Sequence, residues 1–429
     1  MEIEKISDNE YHISGSVLYS VFSGNSSLQV VQLLGSFSRF PSYCFAKCQN
    51  LREIQFNPEI TSIGDYSFYL CDNLATINFP IDLKTIGNHA FEQCTNLQTL
   101  QLPNTISILG DNSFSGCAHL TIINLSSDSI IIGSSAFSSY TELNTVNVHG
   151  SFSEIGEYAF NTCHKIQFFN ITGDLTTISS YSFQSCTALK NVNISSSVTK
   201  IGDFAFSSCN SLESITLPDT INFIGKDAFS SCTSLKTFKI PRDLTIIPEN
   251  LCLSCDGLHE VIVNSNGILY ESNCFGSCHN LKSITFESQN ICDLIIDGAF
   301  IDTPLETITI TNKNVTILSN SFGSSIYTSL TNVDISDGYA LIFIDGFDGF
   351  NGDDSTLRID CKNVTLKSSN NFQQTFKSID ITSFDSIVIY NNTFSGATEL
   401  STINLDGKTV EINGGAFSNC MNLGSIYIR

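Results

Sequence analysis

The chain has 429 residues and is strongly acidic, with 42 Asp and Glu residues against 20 Lys and Arg and a formal net charge of −22. This charge disfavours nucleic acid and anionic lipid headgroups as partners, because both present phosphates that attract basic surfaces. Charged residues make up only 14% of the sequence and hydrophobic residues 41%. The surface must therefore take much of its polarity from uncharged Ser, Thr, Asn and Gln.

The first residues of the chain differ from everything that follows. Residues 1–21 carry several charged side chains and no apolar run, whereas a secretory signal needs a basic start and an apolar stretch of about 7–15 residues. No other segment approaches the roughly 18 consecutive apolar residues of a membrane helix. The sequence thus predicts no membrane insertion and favours a cytoplasmic location. We expect residues 1–21 to form an N-terminal cap.

A unit of 23 residues repeats through residues 22–286. Its apolar positions return in the same order in each copy, and one column of phenylalanines advances through eleven consecutive steps of 23. Only Cys252 interrupts the residue type of that column, which consists of Phe22, Phe45, Phe68, Phe91, Phe114, Phe137, Phe160, Phe183, Phe206, Phe229, Cys252 and Phe275. A fixed period of this size is typical of a solenoid, in which each unit packs only on its neighbours.

The sequence of each unit predicts one short strand, one turn and one corner. The stretch from Leu74 to Phe79 alternates apolar and polar residues, as a half-buried strand does. Pro80 then ends the strand. A glycine such as Gly64 marks a tight corner or a positive φ. The segment from that glycine to Cys71 is too short for a full helix, so one helical or 3-10 turn is expected there.

Strands that recur every 23 residues and run the same way must pair in parallel and return along another face. The sequence therefore predicts an α/β solenoid: a right-handed coil with a long parallel β-sheet on its concave face and short helical or 3-10 turns, or short strands, on its convex face. After Phe275 the period loosens, but the strand pattern persists to the end of the chain. Residues 287–429 are expected to continue the same solenoid as degenerate repeats.

The pattern C-x-N-L-x-x-I-x-L-P-x-x-I-x-x-I-G-x-x-A-F, seen in residues 88–110 and 203–225, resembles the 23-residue leucine-rich repeats of the BspA-like class. These repeats occur in surface antigens of bacteria and parasitic protists. The resemblance covers residues 22–429 and is clearest up to residue 286. It implies a leucine-rich-repeat solenoid that acts in adhesion or host interaction, it implies no catalytic residue, and it favours a cell-surface location.

Most of the cysteines occupy a second column. These eleven of the 16 cysteines are Cys48, Cys71, Cys94, Cys117, Cys163, Cys186, Cys209, Cys232, Cys255, Cys278 and Cys420. Each has identical neighbours and no unique partner, and the spacing of stacked strands exceeds the Cβ separation of a disulfide. We therefore interpret them as buried free thiols in small core slots. Cys252-x-x-Cys255 fits these columns better than a metal or redox motif.

The sequence contains no constellation of residues that predicts an enzyme, a cofactor or a metal site. The seven histidines are scattered over different repeat positions, and there is no HExxH, phosphate-binding loop or pair of carboxylates in register. The acidic stretch 345–354 offers Asp oxygens for Ca²⁺ but lacks the spacing of an EF-hand. A solvated loop is the alternative interpretation of that stretch.

The outward-facing strand positions are the predicted binding residues. If Ile77 and Phe79 face the core, the residue between them faces outward. Seven successive units, beginning with Gln55, carry Asn or Gln at this position. Side-chain amides stacked in this way can hydrogen-bond to one another, and they can also offer a flat uncharged face to a peptide or a glycan. The residues that we predict to bind are Asn78, Gln101, Asn124, Asn147, Asn170 and Asn193.

Together these features predict a non-enzymatic scaffold that binds a protein or glycan through the concave sheet, in adhesion or host interaction. Two alternatives stay open at this point. One is an intracellular structural or regulatory scaffold for protein interactions, favoured by the N-terminal sequence and the free thiols. The other is a calcium-dependent adhesin that uses residues 345–354.

Overall fold

The computed structural model describes residues 2–7, 10–14, 19–263, 268–286, 292–311, 313–318, 321–322, 331–343, 355–368 and 376–429. The described backbone falls into two compact units, Met1–Pro218 and Asp219–Arg429. In each unit successive coils of the chain stack through parallel strands, so the fold is a parallel β-solenoid, as the repeat predicted. Within the described ranges, no helix is long and apolar enough to cross a membrane.

In the first unit each coil contributes to a first ladder of strands. Two strands, β1 (Glu2–Ser7) and β2 (Glu10–Ser14), pair antiparallel with each other, and β2 pairs in parallel with the first coil. From there on, paired residues lie 23 positions apart, as the sequence period requires. The coil strands are β3 (Val30–Leu33), β5 (Glu53–Gln55), β8 (Thr99–Gln101), β10 (Ile122–Leu125), β12 (Thr145–Val148), β14 (Phe168–Ile171) and β16 (Asn191–Ile194).

A second ladder of shorter strands runs along another side of the same coils. Most of these strands have two residues, of which the second is buried and the first is not. They are the short strands that the sequence allowed for the return path. Their bounds are β4 (Arg39–Phe40), β6 (Ser62–Ile63), β7 (Thr85–Ile86), β9 (Ile108–Leu109), β11 (Ile130–Ile132), β13 (Phe152–Ile155), β15 (Thr177–Ile178) and β17 (Lys200–Ile201).

The second unit also has two ladders. The first ladder comprises β19 (Thr237–Ile240), β21 (Glu260–Val263), β23 (Ser283–Phe286), β25 (Thr307–Thr311) and β27 (Asn332–Ser336). The second comprises β20 (Ile246–Ile247), β22 (Ile268–Tyr270), β24 (Cys292–Ile296), β26 (Lys313–Ile317) and β28 (Tyr339–Phe343), whereas β18 (Phe223–Ile224) is not paired into this sheet. Paired residues here lie up to 26 positions apart, as in Leu269 opposite Ile295, which matches the loosened sequence period.

The two ladders of the second unit merge in its last coils, where long strands replace the turn between them. These strands are β29 (Thr356–Lys367), β30 (Ser378–Ile389) and β31 (Thr402–Ile412), followed by β32 (Ser425–Ile428). The first half of β29 pairs with β27 and its second half pairs with β28. The sequence of β29, TLRIDCKNVTLK, contains no Pro or Gly that would end the strand. The result is one sheet of 14 strands.

The prediction of a helical turn between the glycine and cysteine columns is wrong, because none of the described residues is helical. In this segment Tyr66 and Leu70 adopt left-handed conformations, with φ of 55° and 57°. Because these left-handed residues lie on both sides of Phe68, a right-handed helical turn cannot form there. The backbone N–H of Phe68 donates instead to the carbonyl oxygen of Ala90 in the next coil, at 2.7 Å. The segment therefore joins neighbouring coils.

The corner glycine is required by the close approach of two coils. A Cβ atom on Gly87 would lie 2.4 Å from Asp65 Oδ1 and 2.7 Å from the Asp65 backbone nitrogen. The Asp65 Oδ1 atom occupies this place because it accepts a hydrogen bond from the backbone N–H of Asn88, at 2.8 Å. Of the two reasons that the sequence offered for this glycine, the tight corner is the one the structure shows.

Within the first unit the phenylalanine column forms a continuous stack of buried rings from Phe22 to Phe206. The ring of Phe91 lies between those of Phe68 and Phe114, with centroid separations of 4.9 and 5.2 Å and nearly parallel planes. All three side chains are fully buried. Burial of each such side chain stabilises the fold by about 1.5–3 kcal/mol, and Phe152 and Phe169 add further rings to the same core.

The described column cysteines are free thiols, and all but Cys420 are buried, which confirms the interpretation made from the sequence. Their sulfur atoms also have a role that the sequence did not indicate. The Cys48 Sγ–H donates to the carbonyl oxygen of Phe22, at 3.1 Å, and the same contact recurs along the column. Tyr140 replaces one cysteine and donates its phenolic O–H to the equivalent carbonyl of Phe114. The column therefore keeps a hydrogen-bond donor even where the larger Tyr140 replaces cysteine.

Burial keeps these donors protonated. Desolvation raises the pKa of the Cys48 thiol to about 11 and that of the Cys186 thiol to about 12. In both cases backbone hydrogen bonds oppose the shift without cancelling it. A thiol with such a pKa is neutral at physiological pH, so it is a poor nucleophile and a poor metal ligand.

Candidate binding face

The six residues predicted to bind lie at one register position of the first unit. We call them the amide strip: Asn78, Gln101, Asn124, Asn147, Asn170 and Asn193. Five of them occupy strands of the first ladder, and the sixth, Asn78, forms an isolated bridge opposite Gln55. Asn124 is partly buried and the other five are exposed. The residues on either side of each strip position point to the opposite face of the strand. They are buried on both sides of Gln101, Asn124 and Asn170.

Three strip residues form a hydrogen-bonded run. Asn124 Nδ2 donates to Gln101 Oε1 at 2.9 Å, and Asn147 Nδ2 donates to Asn124 Oδ1 at 2.7 Å. Stacked strands lie about 4.8 Å apart, which brings identical side chains within reach of one another. The interpretation of these amides as a ladder is confirmed for this run, and Asn124 both donates and accepts within it.

A second, shorter run contains Asn170 and Asn193. Asn193 Nδ2 donates to Asn170 Oδ1 at 2.7 Å. Paired strands join these two residues, but β12 and β14 belong to different groups of paired strands. Within the described residues no hydrogen bond connects Asn147 to Asn170 or Asn78 to Gln101. The structure thus brings the strip together as two runs and leaves Asn78 apart from both.

Exposed apolar side chains flank the strip, and the sequence analysis missed them. Ile122 and Phe168 lie two residues before Asn124 and Asn170, and they are 37% and 60% exposed. Phe169, the immediate neighbour of Phe168, is only 2% exposed. The spacing of two is the signal that identifies Phe168 as a surface residue, because residues i and i+2 of a strand share a face. The face is therefore an uncharged polar strip with apolar side chains along one margin.

The corresponding position of the second unit is mixed, with charged side chains beside the uncharged Ile262, Thr285 and Thr309. Lys239 Nζ lies 3.9 Å from Asp219 Oδ1, and Arg358 forms an ion pair with Asp334 at 3.5 Å. All four side chains are well exposed. The strip of the first unit has no ionisable side chain, so its own hydrogen bonds do not change with pH.

A second periodic feature of the first unit is an aromatic stack at the outer turns. Tyr66 lies between Tyr43 and His89, with centroid separations of 4.6 and 4.4 Å and nearly parallel rings. All three residues have positive φ. Their ring faces are occupied by one another, so this stack stabilises the turns and does not offer an open aromatic surface.

The described residues contain no group of three or more His, Cys, Asp or Glu side chains that could hold a metal ion. The acidic stretch 345–354 lies outside the described residues, so a calcium site there stays a prediction.

Comparisons with known proteins identify the family. A family model described as a BspA type leucine-rich repeat region matches residues 15–130, 61–190, 107–229, 199–331 and 326–429. No curated protein matches the sequence. The matching family model describes a repeat region and indicates no catalytic family.

The similar solved structures include bacterial leucine-rich repeat proteins. One from Bacteroides ovatus is 20% identical, with 93% of this chain and 86% of that chain covered and a TM-score of 0.48. A leucine-rich cell surface protein from Faecalibacterium prausnitzii is 18% identical, with 82% and 85% covered and a TM-score of 0.37. A protein from Eubacterium ventriosum is 19% identical, with 76% and 92% covered and a TM-score of 0.39. Because the family model matches nearly the whole sequence, this chain belongs to the BspA-type leucine-rich repeat family.

Proposed function

We propose that this chain is a non-enzymatic scaffold that binds a protein or glycan partner through the amide strip of its first unit. Leucine-rich repeats stack into extended faces that suit protein interactions. The observation that carries the proposal is the repetition of uncharged polar side chains at one exposed position of successive coils. Core packing does not require this repetition, since the second unit carries charged residues at the corresponding position.

The hydrogen bonds within the strip leave capacity for a partner. A side-chain amide has two N–H donors and one oxygen with two lone pairs. Asn147 uses one N–H on Asn124, and Asn193 uses one N–H on Asn170. The remaining groups face solvent in fixed positions. A partner would therefore meet preorganised donors and acceptors without having to desolvate a charge.

The test places charge on the strip. The variant carrying Asn124→Lys, Asn147→Lys and Asn170→Lys should no longer capture the partners that the unmodified protein captures from host or bacterial extracts. Each lysine replaces a neutral hydrogen-bonding group with a strongly hydrated cation. Captured proteins and glycans are identified by mass spectrometry, and circular dichroism checks that the variant is folded.

The control carries the same three charges elsewhere in the first unit. Asn104, Ser153 and Thr177 are exposed and lie off the strip, so their replacement by lysine should leave capture unchanged. If the folded strip variant captures the same partners as the control, the strip is not the binding face.

A further inference from the structure

The first ladder of the first unit opens beyond β16. The next coil, residues 212–218, forms no strand, and a cleft of about 580 Å³ lies against β16 and this coil. Its walls include Asn191, Asn193, Ser214, Thr216 and Pro218. This volume falls in the range of about 300–1,000 Å³ that is usual for small-ligand sites.

Solvent reaches further into the coil here than in the closed part of the ladder. Ile215 and Leu217, the inward-facing residues of the unpaired coil, are 7% and 5% exposed, whereas Ile123 of β10 is fully buried. Ile194, at the end of β16, is also only partly buried. Val192 and Ile194 of β16 also line the cleft, so it lies between β16 and the unpaired coil.

The polar side chains of the cleft have unused hydrogen-bonding capacity. Within the described residues, the side chains of Asn191, Ser214 and Thr216 make no hydrogen bond. Asn193 donates one N–H to Asn170, and its Oδ1 accepts none. In Asn124, by contrast, both the amide nitrogen and the oxygen are paired inside the strip. The open end of the strip thus presents amides and hydroxyls that are free for a ligand.

An exposed aromatic ring stands beside the cleft. Phe168 lies directly opposite Asn191 in the paired strands β14 and β16, a separation of about 4.8 Å. Its side chain is 60% exposed. None of the residues that line the cleft is charged. The cleft is therefore neutral, with polar walls and an aromatic margin.

We propose that this cleft binds a neutral oligosaccharide. The ring of Phe168 packs against the C–H face of one pyranose, and the amides of Asn191 and Asn193 with the hydroxyls of Ser214 and Thr216 bond to sugar hydroxyls. Sugar hydroxyls both donate and accept, and so do the amide and hydroxyl groups of the cleft. A neutral sugar also needs no counter-charge. The inference rests on the proposed function and names the ligand class for one end of the strip.

The test titrates the full chain with maltohexaose, cellohexaose, mannohexaose and N-acetylchitohexaose by isothermal calorimetry. At least one sugar should bind saturably. Phe168→Ala should weaken that binding about tenfold, through loss of the stacked ring. Asn193→Ala should weaken it about threefold to tenfold, through loss of hydrogen bonds.

Two matched variants serve as controls. Phe223 is a 50% exposed phenylalanine of the second ladder, and Asn104 is an exposed asparagine off the strip. Phe223→Ala and Asn104→Ala should bind the same sugar with unchanged affinity. Melting temperatures of all four variants establish that they are folded.

If none of the four sugars binds saturably, the proposal is wrong. It is also wrong if the Phe168→Ala variant binds the sugar as tightly as the unmodified chain. A neutral octapeptide of alternating Ser and Val is titrated in parallel. Saturable binding of this peptide without binding of any sugar also overturns the proposal. If the sugars fail while the lysine variant of the strip still loses its captured partners, only the ligand class is wrong. If that variant keeps its partners, the proposed function itself is wrong.

Discussion

The two units of this chain have the same kind of core columns and differ at the exposed position of the first ladder. In the first unit this position holds neutral amides that pair with one another, such as Asn124 and Asn147. In the second unit it ranges from the uncharged Thr309 to charged groups such as Arg358 and Asp334. The stacked coils tolerate both, so the core columns determine the backbone and the exposed column is free to set the binding chemistry.

The units also differ in how their ladders are connected. In the first unit, no described strand belongs to both ladders. In the second unit, β29 runs through both ladders and joins them into one sheet. Side chains along this strand are buried at Leu357, Ile359 and Cys361 and then at Val364 and Leu366, with a register shift between them. A local irregularity in a long strand can therefore replace the turn without loss of the buried columns.

The largest effect is expected from substitutions in the phenylalanine columns of the two units. Phe91→Ala in the first unit and Phe300→Ala in the second should each lower the free energy of unfolding by about 3–5 kcal/mol. Both rings are fully buried and stacked between neighbours. Urea denaturation measures the loss. Phe168→Ala, at an exposed site, should change stability by less than about 0.5 kcal/mol, and a loss at only one of the two core sites would show that the cores are not equivalent.

The cysteine column should make stability depend on alkaline pH. The thiol pKa of Cys186 is raised in the folded protein to about 12 from its ordinary value of 9.0. The stabilisation that this shift provides is complete below pH 9 and is lost as the pH rises towards 12. Over that window each such thiol lowers the free energy of unfolding by about 1.4 kcal/mol per pH unit.

The measurement compares Cys186→Ser with the unmodified chain by urea denaturation across this window. Serine has no titration there, so the slope with pH should be shallower by the contribution of one thiol. Cys420→Ser is the control, because Cys420 is only partly buried and should change the slope less. Equal slopes for Cys186→Ser and the unmodified protein would contradict the assignment of a protonated donor.

A smaller effect is expected within the amide strip. A double-mutant cycle with Asn124→Ala and Asn147→Ala should give a coupling energy of about 0.5–1.5 kcal/mol, the usual net value of a hydrogen bond. The cycle with Asn147 and Asn170 should give none, because these residues are not hydrogen-bonded to each other. Equal coupling in both cycles would remove the distinction between the two runs.

The smallest effect is expected for the charged pair of the second unit. A cycle with Arg358→Ala and Asp334→Ala should give only about 0.2–1 kcal/mol, because both side chains are exposed. This coupling should fall when the salt concentration is raised, whereas the coupling between Asn124 and Asn147 should not. A coupling between Arg358 and Asp334 that is independent of salt would contradict the contrast between the two exposed columns.

The sequence was sufficient to predict the solenoid, its core columns and the register of the first ladder. A period of 23 places identical residues opposite each other, as Asn124 and Asn147 show. It was not sufficient for the outer turns. Tyr66 and Leu70 adopt left-handed conformations. Such conformations are usually found at Gly or Asn, so Tyr and Leu give no sign of them in the sequence. The helical turn was predicted for that reason.

The candidate site was predictable only in part. The amide strip follows from the alternation of the strand, and so does the exposed ring of Phe168 once its distance from Asn170 is considered. The opening of the ladder beside Asn193 was not predictable, because residues 212–218 keep the same repeat pattern as the paired coils. Strand pairing depends on backbone hydrogen bonds between two neighbouring coils, and the sequence of one repeat does not determine them.

The most direct test of the binding face is oxidative footprinting with a captured partner. Ile122 and Phe168 flank the strip and are exposed, and Tyr158 is an exposed aromatic residue of the outer turns in the same unit. We predict that the partner suppresses oxidation of Ile122 and Phe168 by hydroxyl radicals and leaves that of Tyr158 unchanged. Protection of Tyr158 with continued oxidation of Ile122 and Phe168 would contradict the assignment of the strip as the binding face.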